Sequence, residues 1–489
     1  MRGKMTASSP TIAIIGAGFS GLCMGIKLKE AGLTSFKIYE KAEKVGGTWR
    51  ENTYPGVACD VPSHLYCFSF EPNPGWSKHY SNGSEIQDYI ERCSKKYGMD
   101  DHLVFGAQLV AAKYDGGWNL TFADGRTDKV DYLINGVGGL HVPSFPDIEG
   151  MGRFEGKAFH TAHWDHEHDL SGRKVAVIGT AASALQLIPE IVDKVDKLTV
   201  FQRTPNWVMP RLDPPYSEGR KRLFKRFGFL RLLHRFRIYL AFESRFPLFR
   251  QSRLLQAWSR RMGLKHLEEQ VPDPELRAKL TPDYPVGCKR ILGSNDFYPA
   301  LQKPNVTLVT EGIERIEETG VVDKEGILRE ADTLIYATGF KPFSLIDGME
   351  VVGLDGQLMS DYFARGGVRA HNTVSVPGFP NFALLTGPNS GLGHNSIILM
   401  IEAQVKYIVG CIQALKRHNA AAMDVKPEKS NRFDQQLQKD LQGSVWLSGC
   451  KSWYVGEDGR NYTLWPWSTI KYRRRMRIVD PEDFSLQLQ

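Results

Sequence analysis

Gly16-Ala-Gly18-Phe19-Ser20-Gly21 sets three glycines at GxGxxG spacing directly after the apolar run Thr11 to Ile15. In such a turn the first glycine permits the sharp bend and the second lets the backbone approach a pyrophosphate. The third allows close packing of helix on strand. The following helix offers free N–H groups and the positive end of its dipole to phosphate oxygens. Glu40 closes the next strand pattern, Phe36 to Glu40. A carboxylate at that place accepts hydrogen bonds from a ribose 2′-OH and repels a 2′-phosphate. Strand, turn, helix and acid in register read as a site for FAD or NAD rather than NADP. A glycine turn without a ligand is the plainer alternative, and the matching acid counts against it.

A second unit follows well downstream. Gly179-Thr180-Ala181-Ala-Ser183-Ala184 again lies between an apolar strand and a helix, but Ala181 fills the second glycine position. Its methyl group would crowd a pyrophosphate, at roughly 1–3 kcal/mol by analogy with overpacking. Arg203 and Thr204 stand where the first unit has its acid, Arg203 lying as far beyond Ala184 as Glu40 lies beyond Gly21. An arginine there accommodates a 2′-phosphate, so this half reads as an NADP site. A structural unit that has lost its nucleotide remains the alternative, on the strength of Ala181. One site suited to FAD and one to NADPH imply hydride transfer from NADPH to flavin. Cys59 and Cys67 are too far apart in sequence for a CxxC pair and the other five cysteines stand isolated, so no redox pair is expected to take the electrons onward. Oxygen is the natural acceptor.

The elements that must position these residues follow from the pattern. The two strand–turn–helix–strand units predict a mixed α/β fold with two Rossmann-like parallel-sheet domains. Ala331 to Thr338 and Asn381 to Thr386 are further buried-strand patterns, so both domains are expected to be discontinuous. Residues 1–150 and 378–489 are assigned to the FAD domain, and 151–212 and 284–377 to the NADP domain. Residues 213–283, rich in Arg, Leu and Phe at helical spacing, form a helical insertion. A chain of 489 residues, 42% hydrophobic and 24% charged, suits several globular domains and excludes a disordered or fibrous protein. The most apolar stretch, Ser396 to Leu415, is interrupted by Glu402, Gln404, Lys406 and Gln413 and reads as a buried amphipathic helix rather than a membrane span.

Longer motifs narrow the class. Gly46-Gly47-Thr48-Trp49-Arg-Glu-Asn-Thr-Tyr54-Pro-Gly56-Val-Ala-Cys-Asp60 and Phe154-Glu-Gly156-Lys-Ala-Phe-His160-Thr-Ala-His-Trp164-Asp165 resemble the two fingerprints of type I Baeyer–Villiger monooxygenases. These belong to the flavin-containing monooxygenase superfamily and convert ketones to esters or lactones. The resemblance extends from the first turn through Ile335-Tyr-Ala-Thr-Gly339-Phe340 to Ser452-Trp453-Tyr454, with Ala181 as the departure. It implies FAD and NADPH as cofactors, a small ketone and O2 as substrates, and a C4a-peroxyflavin on the pathway. It also implies that Arg290 holds the peroxide anion, oriented by Asp60, and that Lys289 assists Arg203 and Thr204 at the 2′-phosphate. Gly16, Gly18, Phe19, Ser20, Gly21, Glu40, Gly47, Thr48, Trp49, Asp60 and Tyr66 would hold FAD. Gly179, Thr180, Ala181, Ser183, Arg203, Thr204, Lys289 and Trp453 would hold NADP. The segment containing Phe154, Gly156, His160, Trp164 and Asp165 would couple motion between the domains. A surface ion pair for Asp60–Arg290 and a core aromatic for Trp453 are the plainer alternatives.

Other signals carry less. His160, His163, His166 and His168 lack the accompanying cysteines of a structural metal site, and no metal is expected. The net charge of +7 is concentrated: between Tyr216 and Lys265 there are 14 Lys or Arg against 2 Glu, a local excess of +12. Nucleic acid is not expected as a partner, because the rest of the chain is mildly acidic. The aromatic and leucine side chains of this segment would suit a membrane surface, but the expectation is a helical subdomain that packs its apolar face over the active site. The seven unpaired cysteines and an opening without a leader's apolar run point to a cytoplasmic protein with no integral membrane association. Two rivals to the Baeyer–Villiger reading stay open: an N- or S-oxygenase, and a flavin-binding protein whose use of NADPH is impaired by Ala181.

Overall fold

The computed structural model describes residues 10–342, 344–450 and 452–488; the opening residues 1–9, on which part of the leader reading rests, lie outside them. Ile12–Ile15 is buried along its whole length, as a strand covered on both faces must be. It pairs in parallel with Phe36–Tyr39 and Tyr132–Asn135, and Phe382–Leu384 and Leu103–Val104 complete a five-stranded sheet. The second sheet is built alike. Lys174–Ile178 lies between Lys197–Phe201 and Thr333–Tyr336, with Val306–Val309 and Lys157–His160 at the edges, all parallel. The fold is thus α/β, with two parallel sheets each completed by sequence that returns later in the chain.

One expected boundary moves. The sequence pattern places the return to the first unit at residue 378, yet Glu350–Val352 already pairs with Leu109–Tyr114. Leu345, Val351, Met359, Phe363 and Val376 pack in the same core as Ile15, Leu133 and Phe382. The chain therefore re-enters the first unit near residue 340, where Phe340 bridges Pro143 and brings the outgoing and returning crossings side by side. The small sheet formed by Leu109–Tyr114, Trp118–Phe122, Thr127–Val130 and Glu350–Val352 packs on the apolar side chains of the first parallel sheet, among them Ile15, Leu133 and Phe382.

Five helices occupy the expected insertion: Glu218–Arg226, Gly228–Glu243, Phe246–Phe249, Arg253–Gln270 and Pro274–Leu280. Ser217 and Asp273 start the first and last by accepting hydrogen bonds from free N–H groups of the first turn, the usual role of such residues. The apolar side chains do not all turn inward. Phe224, Ile238 and Phe242 are buried, whereas Phe227, Phe229, Leu233 and Phe236 are exposed, which corrects the expectation of one covered apolar face. Ile397–His418 is long and apolar enough to cross a membrane by length and composition alone. It lies instead in the largest core, packed along the Phe19–Glu30 helix. Ser396 caps it at one end, and Asn419 in the left-handed conformation closes the other.

Candidate active site

The first glycine turn shows why its residues are what they are. Gly16 has φ +94°, and a Cβ there would meet the Gly136 carbonyl oxygen at 2.9 Å. A Cβ on Gly21 would lie 1.8 Å from the Gly16 oxygen, so the helix can sit this close to the strand only with glycine. Gly18 differs: a side chain there would meet nothing nearer than Gly47 Cα at 3.7 Å. The space beside Gly18 and Gly47 is therefore walled by backbone alone, which fits the approach of a pyrophosphate. Glu40 is buried at the end of its strand, with Oε2 accepting the Ala17 N–H at 2.8 Å and Oε1 accepting the Ala42 N–H at 3.0 Å. Arg50 pairs with it at 3.1 Å, so the acid is locked in place beside the turn. Phe19 meets Tyr66 edge-on, and Trp49 donates its indole N–H to the Tyr66 hydroxyl at 3.2 Å.

The second turn repeats the geometry with different side chains. Gly179 has φ +109°, and a Cβ would meet the Ala337 oxygen at 2.6 Å. Ala181 has φ −80° and ψ −160°, nearly the −81° and −165° of Gly18. This region is open to any L-residue, so alanine bends the turn without backbone strain. Beyond it, the Lys289 pKa is lowered, first by burial of the amine and then by the nearby Arg203 guanidinium. Neither cation has a carboxylate within ion-pair distance among the described residues. Asp283 opposes this shift only in part; two neighbouring cations that form no ion pair suit a phosphate dianion, and Arg203 and Lys289 are the residues that would hold it. Asn206 steadies the turn by donating to the Thr180 carbonyl at 3.0 Å.

Asp60 and Arg290 meet between the two units, with Arg290 Nη2 2.9 Å from Asp60 Oδ2. The Asp60 carboxylate holds the guanidinium pKa above its ordinary value, and the Tyr454, Cys59 and Tyr66 side chains lie close enough to add to this. Arg290 is nonetheless 48% exposed, so one side of this fixed cation is open to small molecules. Tyr454 is buried near Arg290, and its hydroxyl is pushed up to about 12 by burial. Trp453 packs on Tyr454 with ring centroids 4.5 Å apart and is itself largely exposed. Tyr454, next in sequence to Trp453, is thus a second aromatic in the surroundings of Arg290.

Gln186 was missed by sequence reasoning. It projects from the Ala182–Ile191 helix, accepts the Tyr54 hydroxyl hydrogen at 2.8 Å and donates to the Ala58 carbonyl at 3.0 Å. A Cβ on Gly56 would meet the Gln186 oxygen at 2.5 Å. Tyr54 belongs to the core of the second unit. Gly46 to Asp60 is therefore one strap, with its start at the first glycine turn and its end on the second unit's helix. The spacing Tyr54-x-Gly56 was the available signal.

The cysteines require a correction. Cys288 and Cys450 are joined in a disulfide, Cα to Cα 6.3 Å apart, whereas Cys23, Cys59, Cys67, Cys93 and Cys411 are free and buried. The sequence leads one to expect these two to stand isolated, but the chain folds back over a sequence separation of 162 to bring them together. This bond ties the Lys289–Arg290 turn to the loop carrying Trp453 and Tyr454.

In the Phe154–Asp165 segment, a Cβ on Gly156 would strike the Asp332 oxygen at 2.4 Å. Trp164 packs edge-on against Phe159, and Asp165 pairs with Lys157 at 2.6 Å. Burial, with help from His163, pushes His160 down to about 4, and its Nδ1 accepts the Ala162 N–H. His166 bonds to Thr53 and His168 to Thr333. These histidines serve separate partners, one of them on the strap.

Two nucleotide turns, a strap between them and an acid-held arginine are the arrangement a dinucleotide-dependent flavoprotein needs. The sequence pattern of the family described as flavin-binding monooxygenase-like matches residues 9–352, and the chain belongs to that family. Within it, the chain falls in the Baeyer–Villiger branch. A Baeyer–Villiger monooxygenase of Pseudomonas aeruginosa is 42% identical over 480 residues, covering 97% of this chain and 91% of that protein. A steroid monooxygenase solved in its oxidised form with NADP superposes with TM-score 0.87 at 26% identity, covering 99% of this chain and all of the other. OTEMO solved with FAD and NADP gives TM-score 0.87 at 25% identity, over 98% of this chain and all of the other. FAD and NADPH are the cofactors of this enzyme.

Proposed function

We propose that this monooxygenase converts a small ketone to an ester or lactone. The observation that carries the reading is Arg290, a guanidinium fixed by Asp60 and open on its other side. The balance is that ketone, O2, NADPH and a proton give ester, water and NADP+. The first glycine turn and Glu40 would hold FAD, which supplies the oxygen-activating redox chemistry when bound. This chain contributes charge and position. Arg290 favours an anionic over a protonated oxidant and faces the oxyanion that develops as the carbonyl is attacked. Asp60 keeps that cation from rotating away. Arg203 and Lys289 take the 2′-phosphate, so NADPH is preferred to NADH. The strap, with Gln186 at its end, holds the two cofactor sites in register, as hydride transfer requires. A cytoplasmic location suits an enzyme that draws on NADPH.

The test is an NADPH-dependent product screen on cyclic, linear and aryl ketones with a sulfide as control, run beside Arg290→Ala. Loss of one such donor costs about a hundred- to a thousandfold in rate. The variant should keep its FAD and still be bleached by NADPH in stopped-flow absorbance, yet form almost no ester by gas chromatography. Sulfoxide without ester from the parent enzyme, or ester from the variant at the parent rate, contradicts the proposal.

A further inference from the structure

We propose that the outer face of the Glu218–Arg226 and Gly228–Glu243 helices docks on an anionic lipid surface, an inference independent of which substrate is oxidised. The second helix is apolar on two opposite sides. Ile238 and Phe242 face inward and pack with Leu65 and Leu399. On the other side, Phe229, Leu232, Leu233, Phe236 and Leu240 fall within an arc of about 100° at the turn of an α-helix. All five are exposed, Phe229 at 65%, Phe236 at 54% and Leu232 at 53%. A helix with apolar residues all round is ordinarily covered all round. Nothing in the described chain covers this face.

The helix is also firmly fixed, so this exposure is not that of a loose segment. Buried Arg235 donates to the His64 carbonyl at 2.6 Å and the Cys67 carbonyl at 3.2 Å. At the far end Glu243 accepts hydrogen bonds from Asn395 at 2.8 Å and the Thr469 N–H at 2.9 Å.

Charge selects the occupant. Arg222, Lys225, Arg226 and Arg237 are exposed, and none has a carboxylate within ion-pair distance among the described residues. A second copy of the chain meeting this face about a two-fold axis would set the same cations against each other. A nucleic-acid groove would gain nothing from a row of leucines. Anionic headgroups satisfy the cations while the acyl boundary takes the rings and leucines, as for other basic amphipathic helices lying in the interface. Because Arg235 anchors the helix to the segment that follows Asp60, docking would bring the reaction site close to a reservoir of apolar molecules.

The holoenzyme should co-sediment with vesicles of phosphatidylcholine plus phosphatidylglycerol, much less with phosphatidylcholine alone, and less again as NaCl is raised. Arg222→Glu with Lys225→Glu should lower binding by about fivefold or more per cation. Phe229→Ser with Phe236→Ser should lower it by at least about tenfold. Both variants should keep their flavin and their rate of NADPH-driven flavin bleaching in solution. Absence of binding to either vesicle, equal binding to both, or unchanged binding by the variants overturns the proposal. So does a doubled mass in size exclusion that the phenylalanine variant abolishes, which would assign the face to a second copy.

Discussion

Ala181 takes the place that Gly18 has in the first unit, and its backbone settles what kind of departure that is. Because its φ and ψ match those of Gly18, the alanine costs nothing in the turn itself. Any cost arises only where the methyl meets a bound pyrophosphate. Ala181→Gly should therefore lower the KM for NADPH, by about fivefold or more if the methyl costs roughly 1 kcal/mol, while FAD content stays as in the parent. Steady-state kinetics read the first and the visible spectrum the second. An unchanged KM would mean that the cofactor backbone has settled around the methyl. Lys289 is the other residue of interest at this scale: burial and the Arg203 charge disfavour its protonated form, and the phosphate proposed to bind there would relieve that cost.

At the scale of elements, the residue at the third position of each turn motif, Gly21 in the first and Ala184 in the second, sets how near helix and strand can come. Gly21→Ala would place a methyl 1.8 Å from the Gly16 oxygen, where backbone rather than a flexible side chain must yield. The expected result is lost flavin and a lower melting temperature, seen together in flavin release and thermal denaturation. Ala184, at the matching position of the second unit, is buried without such a conflict, so Ala184→Gly should cost only about 0.5–1 kcal/mol. Units of this kind were legible in the sequence because strand, turn, helix and strand follow one another without a break, and over so short a stretch spacing fixes geometry. The strap was half legible: Tyr54 and Gly56 stood in the motif, but Gln186 reaches them from 132 residues away. The pairing of Cys288 with Cys450 and the re-entry near residue 340 depend on how distant segments pack, which no local period records. Helical spacing likewise revealed the apolar arc of Gly228–Glu243 but not that its outer side is uncovered.

Over the whole molecule, buried histidines set a floor in pH. Burial pushes His64 down to about 3 and His160 and His371 down to about 4, the last despite Asp483 beside it. The unfolded chain takes up these protons near pH 6.5 and the native one does not, so stability is complete above that pH and falls as pH drops toward 4. Each histidine contributes a slope of up to about 1.4 kcal/mol per pH unit. Asp424, pushed up to about 6 by burial, works in the opposite sense below that pH and offsets one of the three. The melting temperature of the holoenzyme should decline between about pH 7 and pH 5, and a flat profile would contradict this sign. The Cys288–Cys450 bond acts at the same scale in another way. It closes a covalent ring from the residue before Lys289, out through the strand Thr333–Tyr336 and the long core helix, and back to the edge of the loop carrying Trp453 and Tyr454. A protease that nicks an exposed bend inside the ring severs the chain without releasing a fragment. Such nicked enzyme should run as a single band on a denaturing gel without reductant and as separate pieces with it.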